Sequence, residues 1–182
     1  PARRYEMKSR LPLFSQIIPV FSVLALFVYG WELYRYVWRL PSWLHYLTLG
    51  DLLGIFSYAM LAGIAESLLL LGLLLGLCAL LPTRFLKNDF TVRGTVISLG
   101  WFVSLIGFWI TYERVSQTIG EHVEIWTLGA LALAGLLAWL SMKVGWLGSF
   151  LAAFADRTTI FLYLFIPLSL LSLAAVIFRN LF

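Results

Sequence analysis

Five apolar stretches, each long enough to cross a bilayer, occupy most of this 182-residue chain. A helix needs about 20 apolar residues to span roughly 30 Å of hydrocarbon. Leu68 to Leu81 alone is almost unbroken Leu, Gly and Ala. Backbone amides in lipid must find partners within their own segment, so continuous apolar runs of this length fold as helices. The expected fold is therefore all-α: one polytopic membrane helical bundle with about five transmembrane helices. Only 12% of the residues are charged, against about 25% in soluble domains, which leaves too few to solvate a surface of ordinary size.

The spans are placed at 13–38, 52–81, 94–115, 125–144 and 158–179. Pro19 lies inside the first, Pro41 is expected to end it, Pro82 to close the second, and Pro167 to kink the fifth. The second segment covers 30 residues, about 45 Å of helix and half as long again as the hydrocarbon, so it tilts or emerges. Two shorter pieces, 41–50 with Trp43, His45 and Tyr46, and 145–155, are expected to lie along the interface. Arg3, Arg4, Lys8 and Arg10 precede the first stretch and no small-residue cleavage site follows it, as in a retained signal anchor.

Orientation follows from lysine and arginine near the span ends. With the N-terminus inside, Arg3, Arg4, Lys8, Arg10, Arg84, Lys87, Arg93, Lys143 and Arg157 fall on the inner side, and Arg35, Arg39, Arg114 and Arg179 on the outer. Nine against four favours that arrangement, and five spans then put the C-terminus outside. The expected location is a plasma or inner membrane. Five spans ending outside resemble the membrane anchor of lipoteichoic-acid-synthase-like sulfatase-fold enzymes. That resemblance rests on helix number and orientation, so it carries no residue roles to this chain.

The formal charge of +4 is dispersed over segment ends and forms no basic face that could track phosphates, which argues against nucleic acid. The single cysteine, Cys78, sits in an apolar run and excludes an internal disulfide. Signatures of zinc peptidases, serine hydrolases, phosphate-binding loops and dinucleotide folds are missing from the sequence. No metal or other cofactor is implied; the two histidines, His45 and His122, fall in expected outer loops.

Three groups of residues stand out. Glu66 lies midway along the second span, where an ionised carboxylate is costly and usually faces a partner or a watery cavity. With Tyr58 two turns before it and Ser67 beside it, Glu66 is a candidate intramembrane proton or ion site; the plainer reading is a neutral Glu bonded to a neighbour. Glu32, Arg35, His45, Asp51, Tyr112, Glu113 and Arg114 all fall towards the outer face and form a candidate polar cluster. Tyr29, Trp31, Tyr34, Tyr36 and Trp38 read as an aromatic belt around that level. Gly72 and Gly76 form a GxxxG pair suited to close helix packing, expected inside this bundle rather than in docking another protein.

Three functions fit. The leading one is a non-catalytic integral membrane subunit or scaffold of a larger assembly, partnered by lipid and by another membrane protein or a second copy. The alternatives are a transporter or channel component using Glu66, and a membrane enzyme acting on lipid through the outer cluster. An enzymatic role is the less favoured.

Overall fold

The computed structural model describes residues 11–81, 86, 89–115, scattered positions between 128 and 140, and 144–181, with backbone only from 110 to 115. Five α-helices are bounded within them: α1 (Phe14–Trp43), α2 (Leu49–Leu80), α3 (Phe90–Val115), α4 (Gly145–Thr158) and α5 (Leu162–Leu181), the last two joined by a 3-10 turn, Thr159–Phe161. No strand occurs among the described residues. Four helical stretches are long and apolar enough to cross a membrane, at 14–43, 49–80, 90–109 and 145–181. Half of the expected span at 125–144 lies outside the described residues; its described positions from 128 to 140 are helical, and Val144 is the extended residue before α4.

Several expected boundaries move, for local reasons. α1 runs through Pro41 to Trp43, since the bond from Leu44 N to Leu40 O (3.0 Å) closes the last turn around the missing proline donor. The expected interfacial piece 41–50 is accordingly divided between the end of α1, a turn, and the start of α2 at Leu49. Thr48 opens α2 with a capping box: its hydroxyl accepts from Asp51 N, and the Asp51 carboxylate accepts from Thr48 N (both 3.3 Å). At the other end Leu81, before Pro82, is extended (φ −78°, ψ 152°), the conformation a following proline favours. α3 starts at Phe90 rather than 94, after Asp89 takes a left-handed φ of 61°, which a short polar side chain tolerates.

The C-terminal part is also more continuous than expected. Residues 145–155 are helical and continue into the last span, since helix runs from Gly145 to Leu181 with one tightened turn. Thr158 and Thr159 hydroxyls donate to the carbonyls of Ala155 (2.8 Å) and Asp156 (2.6 Å). These bonds compete with the regular ladder there and accompany the 3-10 step. Arg157 and Arg179 stand 22 positions apart with no charge between them, about 33 Å of helix, close to the hydrocarbon thickness.

α1 is the central element and packs against α2, α3, α4 and α5. Val20, Leu24 and Val28 meet Leu74 and Cys78 of α2 and Phe90 and Phe102 of α3 in one core; Ala25 and Tyr29 meet Met60 of α2 and Phe165 of α5 in another. α3 comes close because Gly94 has no side chain: a Cβ there would lie 3.0 Å from both Val20 methyls and 3.3 Å from Leu74.

Candidate functional site

Few polar groups sit among these helices, and several of them join one helix to another. Ser22 of α1 bonds the Thr158 hydroxyl (2.8 Å) and donates to Ala155 O (3.2 Å). The Tyr29 hydroxyl bonds Ser169 of α5, while its ring stacks on Phe165 with centroids 4.4 Å apart and planes 7° apart. At the C-terminal end of α5, Asn180 donates to the Tyr58 hydroxyl of α2 (3.0 Å) and Arg179 pairs with Asp51 of α2 (3.0 Å). Arg179 reaches Asp51 across Gly54, where a Cβ would collide with the guanidinium at 1.6 Å.

A different set of charges faces an open groove of about 960 Å³ between α1, α2 and α3. Glu32 and Arg35 from α1 and Glu66 from α2 line it together. One helical turn separates Glu32 from Arg35, so the two pair at 3.5 Å. The Glu32 side chain is only 13% exposed, whereas that of Arg35 is half exposed. Glu66 faces the same groove from α2. Along α2 it stands 15 positions from Asp51, about 22 Å at 1.5 Å per residue.

The remaining lining is apolar and largely aromatic, with Trp31 and Tyr34 from α1 and Trp101, Phe102, Phe108 and Trp109 from α3. Trp31 and Trp109 stand perpendicular at 5.3 Å, and Tyr34 meets Trp109 at 6.3 Å in the same edge-on manner. Spacing explains the wall: positions 27, 31 and 34 share one face of α1, and 101, 102, 105, 108 and 109 one face of α3.

The residues singled out in the sequence are thus redistributed. Tyr58 and Ser67 do not join Glu66: Tyr58 engages Asn180, and Ser67 is buried with its hydroxyl donating to Gly63 O at 2.7 Å. The expected outer cluster divides, with Glu32 and Arg35 going to the groove beside Glu66 and Asp51 going to Thr48 and Arg179. His45 is exposed in the turn between α1 and α2. The Tyr112, Glu113 and Arg114 side chains, and all of His122, lie outside the described residues. Tyr29 leaves the aromatic belt altogether and is fully buried. A Cβ added at Gly72 or Gly76 would meet no described neighbour within 4 Å.

Sequence reasoning missed the anchoring partners Ser169, Thr158, Asn180 and Arg179, which have no local signature. It also missed the cap, for which Thr48-Leu-Gly-Asp51 was a readable signal. Comparison with protein-family models, with curated proteins and with solved structures finds no match to this chain.

Proposed function

We propose that this chain is a non-catalytic subunit of a larger assembly in a plasma or inner membrane, with five spans, the N-terminus inside and the C-terminus outside. The observation that carries the reading is a stripe on α2. Leu69, Gly72, Leu73, Gly76, Leu77 and Leu80 recur at helical spacing and are all exposed among the described residues. Leucine on such a face needs only lipid. A glycine pair gains nothing from lipid and lowers helix propensity by about 1 kcal/mol each, whereas it lets a second helix approach closely. The polar ties among α1, α2, α4 and α5 support the same role, since they join the helices behind the stripe into one frame.

The test is native mass spectrometry of the protein taken from its membrane in mild detergent, beside the Gly72→Leu/Gly76→Leu variant. A fixed-stoichiometry complex or homo-oligomer that the double substitution dissociates, with the variant still folded, is the expected result. A wild-type monomer, or an assembly that ignores both substitutions, refutes the reading.

A further inference from the structure

The groove between α1, α2 and α3 has a chemistry that the subunit role does not use. We propose that it is a binding site for a lipophilic organic monocation, with Glu66 as the counter-charge and the tryptophans as the walls. Glu32 and Arg35 neutralise each other at 3.5 Å, which leaves the Glu66 carboxylate, with no hydrogen-bond or ion-pair partner among the described residues, as the one uncompensated charge facing the groove. Removing a carboxylate from water is costly, and such groups inside membrane proteins mark binding sites or ion pathways.

Size, wall and charge agree on the ligand class. About 960 Å³ falls within the roughly 300–1,000 Å³ of pockets that take drug-sized molecules. Trp31 and Trp109, perpendicular at 5.3 Å, form a corner beside Glu32 and Arg35, and indole faces attract cations, most strongly where water is excluded. An inorganic cation fits poorly, because hard cations want six or more oxygen ligands and this wall is largely hydrocarbon. A zwitterionic headgroup brings a phosphate into a groove that already holds two carboxylates against one guanidinium.

The test uses two probes of the same shape and opposite charge, tetraphenylphosphonium and tetraphenylborate, with the protein in non-ionic detergent. Equilibrium dialysis against empty micelles measures saturable binding. Tetraphenylphosphonium is expected to bind once per chain and tetraphenylborate not to saturate. Glu66→Gln should weaken the phosphonium at least about tenfold, as when one partner of a desolvated charge pair is removed. Trp31→Leu and Trp109→Leu should each weaken it by about three- to tenfold. These two keep the test decisive if the glutamine variant does not fold. Equal binding of both probes, or phosphonium binding that ignores the substitutions, overturns the proposal. Oligomeric state is not read, so failure here leaves the subunit proposal standing, and the reverse holds too.

Discussion

Tyr29 is the residue on which the α1–α2–α5 junction turns. It is fully buried, its hydroxyl bonds Ser169, its ring stacks on Phe165, and its edge passes 3.5 Å from where a Gly63 Cβ would lie. Tyr29→Phe keeps the ring and loses one inter-helix hydrogen bond, so the expected cost is about 0.5–1.5 kcal/mol. Tyr29→Ala removes the ring and leaves a cavity, at about 3–5 kcal/mol. Thermal unfolding in detergent separates them, and equal losses for both variants would contradict the packing. The sequence could not place this residue. Among Tyr29, Trp31, Tyr34, Tyr36 and Trp38 any could serve an interfacial belt, and the choice of which turns inward depends on where α5 lies. Glu66 was legible for the opposite reason: an acidic residue in an apolar run is conspicuous without its surroundings. Its companions in the groove were not, because Glu32 lies 34 positions away and meets it only through helix pairing.

At the scale of helices, glycines divide into two kinds that look alike in sequence. At Gly94, α3 lies close against α1 and α2, whereas Gly72 and Gly76 have no described neighbour. A methyl added at Gly94 meets both Val20 methyls at 3.0 Å, and overpacking of that kind costs about 1–3 kcal/mol. Gly94→Ala is therefore expected to lower the unfolding temperature, while Gly72→Ala and Gly76→Ala, measured on the dissociated chain, leave it unchanged or raise it. The opposite order would mean that the GxxxG pair, and not Gly94, holds the bundle. GxxxG reports a surface that permits close approach and says nothing about whether this chain supplies the partner. Helix ends were more readable, since Pro82 acts on its own neighbour Leu81. Pro41 is the exception, because a proline in a last turn forfeits little of the ladder and need not end the helix.

At the scale of the molecule, two ends are set by charge. Asp51 and Arg179 pair at one end, near the exposed turn that holds His45. Asp156 and Arg157 lie exposed at the other, with 21 uncharged residues from Thr158 to Phe178 between them and Arg179. The apolar character of those stretches is what made the helical fold legible, because a bilayer leaves a continuous apolar segment one way to satisfy its amides. Orientation rests instead on the basic residues at segment ends, a bias exerted during insertion. Its consequence can be read by labelling. In a Cys78→Ser background, which removes a thiol buried to 1%, His45→Cys should react with a membrane-impermeant maleimide in intact cells. Asp156→Cys should react only after permeabilisation. The reverse pattern inverts the proposed orientation and keeps the spans. Reaction of both from one side is the more damaging result, since His45 and Arg179 share an end: the stretch from Arg157 to Arg179 would not cross, and the distance of about 22 Å between Asp51 and Glu66 would no longer measure depth in the membrane.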